Sequence, residues 1–232
     1  MERDQRLRKK ALSPTAELKK LIDELESKPG DYEPIAPIAW PPLEVRIPES
    51  RKPRRTLFVT KGVLYRSWAW QEILPEDSIL LGRYGIPTAT TRKEISAYFS
   101  RAPVAIFVGD LDPLDLHVYL TLREDTPALR YGGLNDACLD FLVRNLKRGR
   151  RIEKLMLPMG PNEKRHFAIL DSMVDVAALM GPWSREVFRH GFKLELEAIC
   201  NLDGFKPGYF KAFRKFLERT KPTAAPAPAR RA

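Results

Sequence analysis

Cysteine is scarce in this chain. Cys138 and Cys200 are the only two among 232 residues, too few for a disulfide framework or a four-cysteine zinc site. Both lie in apolar surroundings, where a free cysteine packs as a small hydrophobe, and a reducing, cytoplasmic setting is the expectation. Histidine is also rare. His117, His166 and His190 are scattered without metal-ligand spacing and read as surface or helix-face residues. No glycine-rich phosphate loop is present, so GRYG and YGG read as turns. No run approaches 18 apolar residues, which excludes a transmembrane helix. The charged start MERDQRLRKK has no apolar stretch behind it, so a secretory signal is not expected. No internal repeat is visible.

What the chain does have is basic charge and material for a core. Forty Lys and Arg against thirty Asp and Glu leave a formal charge of +10. Such an excess favours a polyanionic partner: DNA, RNA or an anionic membrane face. Hydrophobic residues make up 44% and aromatics 9%, which excludes global disorder.

Three zones follow from composition. Residues 1–53 read as a helical arm and a proline-rich strap. Leu18, Leu21, Ile22 and Leu25 fall at helical spacing behind Ser13 or Thr15. Prolines from Pro29 to Pro53 then forbid helix and discourage a central strand, leaving Ile35, Ile38, Trp40 and Val45 to dock on the body. Residues 221–232 read as a disordered Pro/Ala tail.

Residues 54–220 form the body. TLFVTKGV, SILLG at 78–82, PVAIFVGD at 103–110 and ALRYGG read as strands. A segment using Trp68, Trp70 and Ile73, then TRKEISAYFS, a stretch around 114–123 and NDACLDFLVRN behind the capping Asn135 read as helices. This alternation predicts an α/β fold: a mainly parallel, four-stranded sheet with flanking helices and extra C-terminal helices. From about residue 160 onward the pattern is helical, broken at Gly181–Pro182 and Gly204.

The sharpest chemical signal is VAIFVGDLDPLDLH. Asp110 and Asp112 stand at the carboxyl end of a buried strand, where open α/β sheets bind ligands. Alternate residues of an extended segment point the same way, so the two can converge on a hard cation such as Mg²⁺. The competing reading is that Asp112 caps the next helix and Asp110 ends the strand in a turn.

FVGDLDPLDL resembles the Asp-x-Asp-Pro segment of the Toprim domain in the type IIB topoisomerase (topoisomerase VI) A subunit and its Spo11 relatives. GRYGIPTATTRKEI, ALRYGGLNDACL, LMLPMGPNEKRHFAIL and WSREVFRHGFKLELEAI, with Lys193 and Glu195, resemble further segments of that family in the same order. The likeness spans about residues 56–217. It implies a Toprim-like, Rossmann-like fold, a DNA substrate, Mg²⁺ as cofactor and Asp110 and Asp112 as its ligands. It also implies a larger complex, with a partner that supplies a nucleophile or an ATPase, or a homodimer.

Three departures qualify the resemblance. Thr60 stands where the family has its acid/base glutamate, with Lys61 beside it; threonine cannot shuttle a proton near neutral pH. A glutamate restored at position 60 would complete an acidic triplet. The tyrosine-bearing winged-helix module that attacks DNA has no counterpart here, and Tyr32 reads as packing. Asp115 replaces a usual glycine; it either adds charge to the site or sits on the first turn of a helix, where the dipole favours it. The expected function is therefore DNA binding within a complex, or metal-dependent cleavage. The alternative is a non-catalytic DNA-, RNA- or protein-binding subunit with a degenerate site. The candidate nucleic-acid contacts are Arg54 and Arg55; Arg92; Arg144, Lys147, Arg148, Arg150 and Arg151; and Lys211, Arg214 and Lys215.

Overall fold

The computed structural model describes residues 43–48, 52–60, 75–145, 155–196 and 207–219. The arm, most of the strap with Tyr32, Ile35, Ile38 and Trp40, the segment with Trp68, Trp70 and Ile73, and the C-terminal tail lie outside them. So do Cys200, Lys147, Arg148, Arg150 and Arg151.

Five strands form the main sheet: β1 (Glu44–Arg46), β2 (Arg55–Val59), β3 (Ser78–Gly82), β4 (Ala105–Val108) and β5 (Arg130–Tyr131). Their order is β1-β3-β2-β4-β5. β2 runs parallel to both β3 and β4, and β4 parallel to β5. The four expected strands are all present. The fifth, β1, comes from the strap and pairs antiparallel with β3, Val45 opposite Leu81. Pro42 and Pro48 bracket this short stretch, and an edge position is where a proline-flanked strand can pair.

β2, β3 and β4 are buried along their whole length, and Leu57, Phe58, Ile106, Phe107 and Val108 are fully enclosed. Continuous apolar runs of this kind suit central parallel strands covered on both faces. The covering helices are α1 (Ala89–Phe99), α2 (Pro113–Asp125) and α3 (Asp136–Asn145). Thr88 caps α1 by accepting from Thr91 N. Asn135 caps α3 by accepting from Cys138 N at 2.9 Å, and Cys138 is buried. Among the described residues no helix is long and apolar enough to cross a membrane.

After α3 the described chain is not purely helical. α4 (Pro161–Met173), α5 (Val176–Met180) and α6 (Pro182–Arg189) are flanked by two short strands, β6 (Leu157–Pro158) and β7 (Phe192–Lys193), paired antiparallel. Gly191, at φ +78°, turns the chain from α6 into β7. Phe192 and Lys193, in a stretch read as helical from about residue 160 onward, thus form a strand. Next to it, Leu111 and Leu194 exchange backbone hydrogen bonds of 2.9 and 3.0 Å, which fastens residues 193–196 to the end of β4. α7 (Pro207–Arg219) packs on α3 through buried Phe213 and Leu217, with Phe141 and Phe216 rings 5.8 Å apart.

Candidate functional site at the switch point of the sheet

The chain goes from β2 outward to β3, then crosses back to β4 on the other side of β2. The carboxyl ends of β2 and β4 therefore flank a topological switch point, the usual ligand crevice of an open parallel sheet. Thr60 follows β2 and Asp110 follows β4. Both are buried, and both donate to one carboxylate oxygen. Asp115 Oδ2 accepts from Thr60 Oγ1 at 2.8 Å and from the Asp110 backbone N–H at 2.7 Å.

Two departures from the resembled family meet in that contact. The strand lacks its glutamate, and the first turn of α2 carries an aspartate where glycine is usual. Here a carboxylate reaches the Thr60 position from the helix. Burial, then the charges of Asp110 and Asp112, push the Asp115 carboxyl well above the ordinary carboxylate range, against its two hydrogen bonds. A glutamate at position 60 would face Asp115 rather than simply complete a triplet, so that expectation from the motifs is revised.

Asp110 and Asp112 flank Leu111, but their carboxylates are engaged separately. Asp110 Oδ1 accepts from Leu196 N at 2.8 Å, and the Asp110 carbonyl accepts from the Tyr131 hydroxyl. Asp112 caps α2, accepting from Leu114 N at 2.7 Å through Oδ1. Its Oδ2 lies 3.3 Å from Lys193 Nζ. The capping role considered for Asp112 is thus the one observed. Lys193 also reaches Glu163 Oε1 at 2.7 Å and Glu195 Oε1 at 3.8 Å.

Mg²⁺ takes oxygen ligands at about 2.0–2.1 Å in near-ideal octahedral geometry. The carboxylates as held do not fit that demand, because a lysine ammonium already stands among three of them. Among the described residues no group of three or more His, Cys, Asp or Glu side chains is arranged to hold a metal ion.

Glu163 and Lys193 were not singled out as site residues in the sequence. Glu163 had a detectable local signal: it stands three residues into α4, and its Oε2 accepts from Gly160 N at 2.7 Å, one arm of a capping box. Of the histidines read as surface or helix-face residues, His117 lies on α2 and is 3% exposed, while His166 on α4 is half-buried. Burial, then the neighbouring His166, lowers the His117 pKa to about 4. His190 is exposed as expected.

YGG also does more than turn. A Cβ on Gly133 would stand 2.0 Å from the Gly109 carbonyl oxygen. Leu134 N donates to that same oxygen at 3.0 Å. Two backbones touch there, directly behind Asp110, and only glycine at 133 permits it.

Arg54, Arg55 and Arg214 line a cleft of about 480 Å³ with Glu76, Asp77 and Glu218. It lies at the amino end of β2, roughly 17 Å from Thr60 at the rise of an extended strand. Arg55 is buried and paired with Asp77 at 3.0 Å. Arg214 pairs with Glu218 at 3.0 Å, and Arg92 holds Asp125 at 2.7 Å. Arg54, Arg144 and Lys215 are exposed. Lys211 lies on α7.

No known family model matches the chain, and no curated protein matches it.

Proposed function

We propose that this chain is a Toprim-like, DNA-binding subunit that works within a larger complex. Cytoplasmic or nucleoid DNA would be its substrate, and its acidic crevice is held by protein groups rather than set up for catalysis by the chain alone. The observation that carries the reading is the meeting of Thr60, Asp110 and Asp115 at the switch point. The resembled domain requires the ends of its first and third parallel strands to be neighbours, and those ends share one carboxylate oxygen here. The charge of +10 supports DNA as the partner.

Fluorescence anisotropy with labelled duplex DNA over a range of salt tests it. Affinity should fall steeply with salt, and it should fall alike for unrelated sequences. Changing Arg148, Arg150 and Arg151 together to Glu should weaken binding at least about tenfold and flatten the log–log salt slope by roughly 2–3. Unchanged affinity would reduce that cluster to a solvated face.

A nuclease reading has one observation in its favour, the placement of Asp110 and Asp112 at the crevice. It requires Asp112 to leave both its cap and Lys193. Mg²⁺-dependent nicking of plasmid DNA by the purified chain, lost in Asp110→Ala, would replace the binding-subunit reading with that one.

A further inference from the structure

The carboxylates of Asp112, Glu163 and Glu195 come from three separate parts of the chain. Asp112 opens α2, Glu163 lies on the first turn of α4, and Glu195 follows β7. They surround the Lys193 ammonium at 3.3, 2.7 and 3.8 Å. The side chains are largely sheltered, with Lys193 at 18% and Asp112 at 14% exposure. Like charges gathered in partial burial repel unless a cation stands among them. In a magnesium protein a bound ion supplies that charge; here a tethered ammonium occupies the centre of the group.

We propose that Lys193 is the resident counter-ion of this crevice, standing in for a divalent cation, so that the native fold has no need of Mg²⁺. Three features support it. Both oxygens of Glu163 are committed: Oε1 to Lys193 and Oε2 to Gly160 N. Both oxygens of Asp112 are committed likewise, to Leu114 N and Lys193. Burial opposes the Lys193 charge, yet the Glu163 hydrogen bond and the field of Asp112 outweigh it, and its pKa stands raised. The lysine is therefore a charged ammonium at neutral pH. Its backbone is fixed by the β6–β7 pairing and the adjoining Leu111–Leu194 bridge, so the ammonium cannot diffuse away as an ion can.

The inference concerns the acidic group alone and does not depend on DNA binding. Thermal melting of the full chain in EDTA and in 10 mM Mg²⁺, with and without Lys193→Met, tests it. Wild type should melt at the same temperature in both solutions. Lys193→Met should melt roughly 5–10 °C lower in EDTA, as expected when a sheltered ion pair loses one partner. It should recover about 3 °C or more in Mg²⁺, as millimolar binding to the native state alone implies. Lys193→Arg, which keeps the charge, should stay insensitive to Mg²⁺. Calorimetric titration of wild type should show no Mg²⁺ binding below millimolar. Mg²⁺ stabilisation or sub-millimolar binding in wild type would overturn the proposal, as would a Lys193→Met protein as stable as wild type. Should Lys193→Met not fold, wild type and Lys193→Arg decide by the same criteria.

Discussion

Asp115→Ala is expected to cost about 3–5 kcal/mol of stability, read as a shift of the urea midpoint at unchanged m-value. The loss comes from two buried donors left without their acceptor, Thr60 Oγ1 and Asp110 N. Each orphaned group costs roughly 1–3 kcal/mol, and the cavity adds to it. Asp115→Asn is the control. An amide oxygen can accept both bonds, and a neutral side chain suits a position where burial already favours the uncharged form. It should cost less than about 1.5 kcal/mol. Equal losses in the two variants would mean that an amide cannot take the place of the carboxylate, and that neither its shape nor its acceptor oxygen is enough to join β2 to β4. Asp115→Ala should also loosen the crevice as a whole, because Asp110 carries the bond to Leu196 that helps hold residues 193–196 against β4.

The second large effect is a pH dependence set by His117. Its folded pKa is about 4 against an ordinary value of 6.5, and burial is the main cause. Between those values the unfolded chain binds a proton that the native state refuses, so stability falls as pH falls. The contribution is fully present above pH 6.5, declines from there to pH 4, and is gone below it. The gap amounts to about 3 kcal/mol. His166, whose pKa is also lowered by burial, acts in the same direction. His117→Leu should remove the larger part of this dependence. Urea denaturation of wild type and variant at pH 7 and pH 4 gives the comparison. A variant with the same acid loss as wild type would show that His117 is protonated in the native state.

Most of the strand and helix positions were legible from the sequence because their causes are local. SILLG and VAIFV are apolar without interruption, as strands buried on both faces must be. Thr88 and Asn135 are capping residues whose partners lie three positions on. Asp112–Pro113 is a helix start by composition alone, with a capping acid followed by proline at the first position. The resemblance of FVGDLDPLDL to a metal motif was equally visible, but it named residue types and not their partners.

The partners were decided by the tertiary fold. Thr60 and Asp115 are 55 residues apart, Asp110 and Leu196 86. Such pairs meet only because β4 crosses to the far side of β2 and residues 193–196 return to the end of β4. The strand β7 was illegible because two residues between a helix and a bridge carry no periodicity. The depth of His117 was left open for a related reason: on a helix covered from two sides, the buried face is set by what packs on it. That Asp112 stands beside a lysine while Asp110 accepts from Leu196 N could not follow from their spacing. A carboxylate accepts whatever cation the fold delivers, and here the fold delivers Lys193 from a strand 81 residues beyond Asp112.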